Sequence, residues 1–180
     1  SNRGCRDSVI KTIQVYALPK ADFSGPSLCL NKQFAFSDLS TSSVGNITSW
    51  AWDFGDGGTS TQQKPTHTYT DTGYYTVKLI INPTDSCSDS IVKVNYITVY
   101  GVKANFTATP ITGCAPMQVA FTDLSYSFLG IATAWSYHFG TGDSSHQKNP
   151  VYTYDTTGNY YVQLKVTDSH GCSAITYRLV

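Results

Sequence analysis

The chain contains an internal repeat with an offset of 85 positions, and this repeat constrains the fold more than any other feature of the sequence. Cys29 matches Cys114, Cys87 matches Cys172, and the two copies align between these positions without a gap. The other recurring positions of the first copy are Phe36, Asp38, Trp50, Phe54, Gly55, Gly57, Pro65, Tyr69, Gly73, Tyr75, Val77 and Leu79. Two similar units therefore follow one another along the chain.

A third, partial copy precedes these two units. Cys5-Arg6-Asp7-Ser8-Val9 resembles the segment that begins at Cys87, and Ala21-Asp22-Phe23 resembles Ala104-Asn105-Phe106. The repeat predicts three segments: the last strand of a preceding repeat (1–20), a complete repeat (21–100) and a repeat that lacks its final strand residues (104–180). Residues 100–103 are expected to form a short connection, so the sequence looks like a window of a longer array.

Within each copy, apolar and polar residues alternate with a period of two, which is typical of half-buried β-strands. Tyr75, Val77 and Leu79 lie on one face of a predicted strand, and Trp50, Trp52 and Phe54 lie on one face of another. Glycine-containing turns such as Asp71-Thr72-Gly73 separate the runs, and no stretch favours a helix. About seven short strands in each repeat predict tandem all-β sandwiches.

The composition excludes several classes of protein. Twelve basic residues balance twelve acidic residues, so no net charge favours nucleic acid or an anionic membrane surface. Hydrophobic residues make up 41% of the chain, which is enough to build a core, so a disordered chain is not expected. No apolar run approaches the ~18 residues of a transmembrane helix.

The segment Trp52-Asp53-Phe54-Gly55-Asp56-Gly57, followed by His67-Thr68-Tyr69 and Gly73-Tyr74-Tyr75-Thr76-Val77-Lys78-Leu79, closely resembles the PKD domain family. The second copy keeps the aromatic and glycine positions as Tyr137-His138-Phe139-Gly140-Thr141-Gly142. The resemblance implies an immunoglobulin-like sandwich of about seven strands on an extracellular protein. The cysteine-bearing form is similar to tandem PKD repeats of giant Bacteroidetes surface proteins, which include gliding-type adhesins and cargo of the type IX secretion system.

Most of the shared residues have structural explanations. Gly55, Asp56 and Gly57 fit a tight hairpin turn, where glycine adopts positive φ without strain. Asp71-x-Gly73-x-Tyr75 matches the spacing of a tyrosine corner, in which the phenol binds a backbone group near the turn. The remaining residues assigned to the structural motif are Trp50, Trp52, Phe54, Trp135, Phe139, Gly158 and Tyr160.

Metal binding, with calcium as the candidate ion, is the sharpest chemical possibility that the resemblance raises. Asp38, Asp53 and Asp56 could present carboxylate oxygens, and some members of the resembled family bind calcium near domain junctions. His138 and Thr141 replace two of these three acids in the second copy. A turn and surface role for the acids is therefore the preferred interpretation, and no firm metal site or other cofactor is assigned.

The sequence does not indicate an enzyme. The four histidines are scattered, and no Ser-His-Asp or Cys-His set recurs at a recognisable spacing. Tyr74 and Tyr161 fall on the outward faces of their strands and could stack on sugars, although 85 positions do not relate them. Cross-strand surface pairing is the preferred explanation for both tyrosines.

The five cysteines predict disulfides rather than a metal cluster, because no CxxC occurs and the composition suits an extracellular protein. Pairing within a repeat would join Cys29 to Cys87 and Cys114 to Cys172. In an immunoglobulin-like topology those loops lie at opposite ends of the sandwich, roughly 20 Å apart, whereas a disulfide needs Cα atoms within about 7 Å. We therefore expect a Cys29–Cys172 bridge between adjacent repeats, with Cys5, Cys87 and Cys114 bonded to partners elsewhere or reduced.

The leading functional interpretation is a non-catalytic extracellular structural and adhesion module, a repeat segment of a long cell-surface or filament protein. Its partners would be neighbouring PKD repeats of the same chain and protein or polysaccharide ligands. The alternative is an accessory module of a secreted protease or polysaccharide-degrading enzyme that helps to engage substrate. Self-association through unpaired strand edges is a third interpretation.

Overall fold

The computed structural model describes residues 4, 8–13, 15, 17–84 and 87–180. The described residues contain no helix, which confirms the all-β prediction. Domain 1 consists of β1 (Phe23–Ser24), β2 (Leu28–Cys29), β3 (Gln33–Ala35), β4 (Ser37–Asp38), β5 (Ile47–Asp53), β6 (Thr59–Ser60), β7 (Thr66–Thr68), β8 (Gly73–Pro83) and most of β9 (Asp89–Lys103). Domain 2 consists of β10 (Phe106–Thr109), β11 (Met117–Asp123), β12 (Tyr126–Phe128), β13 (Ala132–His138), β14 (Ser144–Ser145), β15 (Val151–Tyr154), β16 (Tyr161–Asp168) and β17 (Ser173–Leu179).

Domain 1 is a sandwich of one larger sheet and two short strand pairs. The larger sheet has the order β6-β5-β8-β9, and β2 adds a parallel pairing to β9. The strand pairs β1–β4 and β3–β7 form the opposite layer. The core between the layers is aromatic: Phe23 meets Trp52 edge to face, with ring centroids 5.3 Å apart.

Domain 2 repeats this arrangement with a sheet of order β14-β13-β16-β17 packed against a sheet of order β10-β11-β15. Phe106 and Tyr137 take the places of Phe23 and Trp52, with ring centroids 5.6 Å apart. The two domains bury separate hydrophobic clusters, as expected for units with their own cores.

The boundary between the domains is not the short connection that the sequence predicts. Residues 100–103 are the last part of β9, which begins in domain 1 and ends in domain 2. The connecting segment is a strand because Tyr100 pairs with Cys29 of domain 1, and Gly101, Val102 and Lys103 pair with β12 of domain 2. No helix among the described residues is both long and apolar enough to cross a membrane.

The described residues before Lys20 have no regular secondary structure, and Lys20 forms an isolated bridge with Thr41. The prediction that residues 1–20 are the last strand of a preceding repeat, and the boundaries of the two following repeats, therefore stay predictions. Cys5 lies outside the described residues.

Candidate functional site at the junction between the domains

The junction is built on β9, which hydrogen-bonds to both domains. Its residues 97–99 pair with Gly73, Tyr74 and Tyr75 of β8, and its residues 101–103 pair with Tyr126, Ser127 and Phe128 of β12. A strand held on both sides of a boundary cannot bend there without breaking ladder hydrogen bonds. β9 therefore couples the orientations of the two domains.

A hairpin of domain 2, between β16 and β17, packs against this end of domain 1, and Asp168 organises it. One carboxylate oxygen of Asp168 accepts the backbone N–H groups of His170 and Cys172, each at 2.9 Å. The other oxygen accepts the hydroxyl of Ser127 at 2.6 Å. Asp168 is the one buried polar or charged residue among those described, 3% exposed, and its hydrogen bonds compensate for that burial.

A disulfide joins the hairpin to domain 1. Cys29, in β2, is bonded to Cys172, with the Cα atoms 5.4 Å apart. Cys114, which occupies the place of Cys29 in domain 2, is an exposed thiol, and Cys87 is also exposed. The covalent link therefore crosses the junction and connects one end of domain 1 to the opposite end of domain 2.

Ring contacts fill the remaining junction. The imidazole of His170 stacks on Tyr100 with centroids 3.9 Å apart, and Tyr74 meets Phe128 with centroids 6.0 Å apart. A Cβ atom at Gly101 would lie 2.5 Å from the Thr72 methyl carbon, so a larger residue there would require the Thr72 side chain to move. Tyr74, a candidate for sugar stacking, thus has a ring partner across the junction, whereas Tyr161 is 69% exposed.

The hairpin of domain 1 that contains the motif residues 52–57 is held by side-chain hydrogen bonds. Asp56 Oδ1 accepts the N–H of Gly58 at 2.9 Å, and Asp56 Oδ2 lies 2.7 Å from His67 Nε2. The His67 ring stacks on Phe54 with centroids 4.3 Å apart. Burial tends to raise the pKa of Asp56, but the hydrogen bonds from His67 and Gly58 outweigh it and lower that pKa.

Domain 2 closes the equivalent hairpin with hydroxyl groups. Tyr152 stacks on Phe139 with centroids 4.2 Å apart, as His67 stacks on Phe54. Its hydroxyl donates to Asp143 Oδ2 at 2.6 Å and lies 2.8 Å from Thr141 Oγ1. The hydrogen bond to Asp143 raises the pKa of Tyr152. The motif therefore positions a hairpin in both domains and needs no catalytic role to explain it.

Both domains contain the tyrosine corner. Tyr75 donates its hydroxyl hydrogen to the Asp71 carbonyl oxygen at 2.9 Å, and Tyr160 donates to the Thr156 carbonyl oxygen at 2.8 Å. The backbone carbonyl is the acceptor in each case, which explains why Thr156 can replace Asp71. Gly73 and Gly158 lie directly under these rings.

The three calcium candidates each have local hydrogen bonds. Asp38 Oδ2 accepts the indole N–H of Trp50 at 2.8 Å, and Asp53 Oδ1 accepts the N–H of Gly55 at 2.9 Å. Asp56 is engaged by His67 and Gly58, as described above. Within residues 17–84 and 87–180, no group of three or more His, Cys, Asp and Glu side chains is placed to hold a metal ion. Calcium binding stays an untested prediction.

Sequence reasoning missed the junction contacts of Asp168, Ser127 and Tyr100. The repeat gives no signal for Asp168, because the equivalent position in domain 1 is Pro83. The only available hint was the turn sequence Asp168-Ser169-His170-Gly171, in which an aspartate begins a hairpin that ends at a cysteine.

Comparison with known proteins places these observations in a family. A family model described as PKD domain matches residues 16–99 and 103–179. Microbial collagenase from Vibrio alginolyticus is 42% identical over 65 residues, which are 36% of this chain and 8% of that protein. Collagenase ColA from Bacillus cereus is 44% identical over 62 residues, 33% of this chain and 6% of that protein.

A relative that matches both domains is the pre-pro-metalloprotease PrtV from Vibrio cholerae serotype O1. It is 29% identical over 134 residues, 74% of this chain and 14% of that protein. The chain thus spans only a small fraction of the length of these relatives. A solved structure that is similar to this chain is the PKD1 domain from Vibrio cholerae metalloprotease PrtV, with 36% sequence identity and a TM-score of 0.42. The match covers 46% of this chain and 98% of that structure's chain.

The family model covers most of the chain in two successive matches, one for each sandwich. The described residues contain the motif hairpin, the tyrosine corner and the aromatic core twice over. This chain therefore belongs to the PKD domain family, as two tandem, non-catalytic domains.

Proposed function

We propose that the two domains form a rigid accessory segment of a secreted proteolytic protein. The main observation that supports this proposal is the set of contacts that fix the junction between the domains. A continuous strand, a disulfide and the stack of His170 on Tyr100 all cross one boundary, so the domains hold a fixed orientation, whereas a flexible tether would need none of these contacts. The proteolytic context is supported by the matches to two collagenases and to a metalloprotease.

Nuclear magnetic resonance tests the rigidity directly. Residual dipolar couplings measured in both domains of the oxidised chain should fit a single alignment tensor, because one rigid body has one orientation. The Cys114→Ser variant is the matched control, since it removes an exposed thiol that lies away from the junction. Two independent tensors in the oxidised chain would contradict the proposal.

The face that would contact a polymeric protein substrate lies on β16 and β17 of domain 2. Tyr161 and Tyr177 are 69% and 65% exposed, and Ile175 and Leu179 lie beside them on the same outward face. An exposed apolar patch of this kind commonly marks an interaction site. We name these four residues the contact face, and we propose that they bind an extended protein such as collagen.

Co-sedimentation with insoluble fibrillar collagen tests the contact face. The chain should sediment with the fibrils, and the Tyr161→Ser/Tyr177→Ser variant should lose at least half of the bound fraction. Tyr126→Ser, which alters an equally exposed tyrosine on β12, is the matched control and should bind normally. Equal binding by all three proteins, or no binding at all, would exclude this face.

The second candidate function is a repeat of a long cell-surface adhesin. It is favoured by the equivalence of Cys29 and Cys114, because an array of identical junctions would use the second cysteine as domain 1 uses the first. The complete coding sequence discriminates between the candidates. A metalloprotease domain in the same chain supports the accessory role, whereas many further repeats without one support the adhesin.

A further inference from the structure

Domain 1 has an open cavity of about 360 Å³ beside the end of β4 and the start of β5. Trp50 lines this cavity and also packs against the core of the domain, so its indole is half-buried. Most of the other side chains that line the cavity are polar, among them Asp38, Asn46 and Gln63. An aromatic ring beside a carboxylate and a few amides is a combination of groups that can bind a ligand.

The carboxylate of Asp38 has only neutral hydrogen-bond donors around it in the part of the chain that the structure describes. Its Oδ2 atom accepts the indole N–H of Trp50 at 2.8 Å and the amide N–H of Gln63 at 3.3 Å. Its Oδ1 atom accepts the backbone N–H of Ser40 at 3.0 Å. These donors leave one of the roughly four lone-pair sites of the carboxylate unused. Neither of the ion pairs among the described residues includes Asp38, so its negative charge has no cationic partner there.

Domain 2 shows which chemical group packs over the equivalent ring. Trp135 matches Trp50 in the repeat, and Lys148 matches Gln63. The ammonium nitrogen of Lys148 lies 5.5 Å from the centroid of the Trp135 ring. This distance is within the range of a cation–π interaction, for which the indole is the best of the aromatic side chains. Domain 2 therefore covers its indole with a cation from its own chain.

Among the described residues of domain 1, no cation packs over the ring of Trp50. Gln63 is neutral and donates its amide N–H to Asp38. Lys64, the next residue, has neither an ion pair nor a ring contact within the described ranges. The indole of Trp50 thus borders an open cavity, whereas the indole of Trp135 has a lysine over it.

We propose that this cavity binds the side chain of a lysine from an extended segment of another protein, with the ammonium group over the indole of Trp50 and beside Asp38. The bound lysine makes between two molecules the contact that Lys148 makes within domain 2. Charge complementarity selects a cationic side chain, because the carboxylate of Asp38 has a free lone pair and only neutral donors. The amide of Gln63 holds that carboxylate in place without occupying the position of the ligand's charge.

The equivalent place in domain 2 stays accessible beside a neighbouring domain. Domain 1 pairs with β12 and is bonded to the β16–β17 hairpin of domain 2, yet Lys148 is exposed over its ring. A neighbouring domain that docks in this way therefore leaves the lysine site open. The site is also separate from the contact face, which lies on domain 2, so each of the two proposals can fail without the other.

Nuclear magnetic resonance of the oxidised chain measures binding at this site, because the indole N–H of Trp50 gives a signal of its own. The probe is a Gly-Gly-Lys-Gly-Gly peptide with blocked ends, and the same peptide with norleucine in place of lysine is the neutral control. The lysine peptide should shift the Trp50 signal until the site is saturated, whereas the norleucine peptide should not. Added salt should weaken the binding, because it screens the charges of the ammonium group and Asp38.

The Gln63→Lys variant tests the comparison with domain 2. It places a cation where domain 2 has Lys148, and it should weaken binding of the lysine peptide at least tenfold because the site is then occupied from within. Gln62→Lys is the matched control: it adds the same charge at an exposed side chain that does not line the cavity. Its affinity should stay within about twofold of the unmodified chain, and both variants should melt normally.

Four outcomes would overturn the proposal. They are the absence of any shift, equal shifts by the two peptides, undiminished binding by Gln63→Lys, and an equal loss in Gln62→Lys, which would indicate general charge repulsion. Cellohexaose provides the last arm. A shift of the Trp50 signal by this sugar, without one by the lysine peptide, would identify a saccharide site in place of the lysine site.

Discussion

The two domains close the same hairpin with different chemistry. In domain 1 an imidazole stacks on Phe54 and pairs with the carboxylate of Asp56, whereas in domain 2 a phenol stacks on Phe139 and binds Asp143. The ring geometry is nearly the same, with interplanar angles of 11° and 10°. The position therefore requires a flat ring with a polar tip, and the identity of the polar group can change.

The domains also differ around the first tryptophan of the motif. Trp50 donates its indole N–H to Asp38, whereas the buried indole N–H of Trp135 has no hydrogen-bond partner among the described residues. Asp123, which matches Asp38, accepts the N–H of Ser125, just as Asp38 accepts the N–H of Ser40 in addition to the indole. Domain 2 thus keeps the aromatic packing and loses a polar contact, which shows that packing is the more general requirement of the fold.

The largest expected difference between the domains concerns their equivalent cysteines. Cys29→Ser should reduce the free energy of unfolding by up to about 5 kcal/mol on the chain-entropy model, because the bridge closes a loop of 143 positions. Cys114→Ser should have almost no effect, since this thiol is exposed. Denaturant unfolding measures both changes. Peptide mapping without reductant should recover a Cys29–Cys172 peptide, and recovery of Cys29–Cys87 and Cys114–Cys172 peptides would contradict this connectivity.

The next largest effect should come from the hairpin glycines. Gly55 and Gly140 both have positive φ, at 84° and 83°, but an added Cβ at Gly55 would overlap the Thr76 carbonyl oxygen. At Gly140 it would lie 3.0 Å from the Tyr161 carbonyl oxygen. Gly55→Ala should therefore destabilise domain 1 by about 3 kcal/mol, and Gly140→Ala should destabilise domain 2 by about 1–2 kcal/mol. Hydrogen exchange resolved by domain measures the two costs, and equal costs would show that the hairpins relax equally.

Replacing each tryptophan with phenylalanine sharpens the comparison of the indole groups. Trp50→Phe removes a hydrogen bond and leaves Asp38 without that donor, whereas Trp135→Phe removes an N–H group that has no partner. The first substitution should cost about 1–2 kcal/mol more than the second, since loss of ring area is similar in both. A larger cost at Trp135 in denaturant unfolding would mean that its N–H group is hydrogen-bonded in solution.

Acid should weaken the hairpin of domain 1, in which the carboxylate of Asp56 pairs with His67. The folded state lowers the pKa of Asp56, so the stabilisation is present above the unfolded pKa, about 4, and is lost as the pH falls through the lower folded value. The effect should be no more than about 1 kcal/mol, because solvent screens the pair. The His67→Tyr variant, which introduces the ring of domain 2 and removes the imidazole that pairs with Asp56, should reduce this dependence. Stability measured from pH 7 to pH 3 checks it, and an unchanged pH profile in the variant would remove His67 from the explanation.

Chelation should have the smallest effect. Only domain 1 has all three acids, Asp38, Asp53 and Asp56, because domain 2 keeps just the match of Asp38. Any calcium dependence should therefore be confined to domain 1. We expect EDTA to shift the melting temperature by less than about 1 °C, because each acid already has a local hydrogen-bond partner. A large calcium-dependent shift in calorimetry would show that these acids act as ligands.

The sequence predicted the parts of the fold that depend on local pattern and repetition. Alternation at Tyr75, Val77 and Leu79 predicted a buried strand face, and the offset of 85 predicted a second sandwich with the same plan. It did not predict that β9 continues through residues 100–103, because strand pairing across a boundary depends on the neighbouring β12. The contacts of Asp168 were equally inaccessible, since they join β12 to the β16–β17 hairpin within domain 2, and Pro83 stands at the equivalent position of domain 1.

The disulfide at the junction also determines which part of the chain can be stretched. Tension applied between the two termini passes through the Cys29–Cys172 bond, so the residues between these cysteines carry none of the load and cannot be pulled out. Unfolding therefore cannot release the 143 positions between the cysteines, which would otherwise extend by roughly 500 Å. Although each domain has a separate core, the disulfide makes the two behave under tension as one short, nearly inextensible unit.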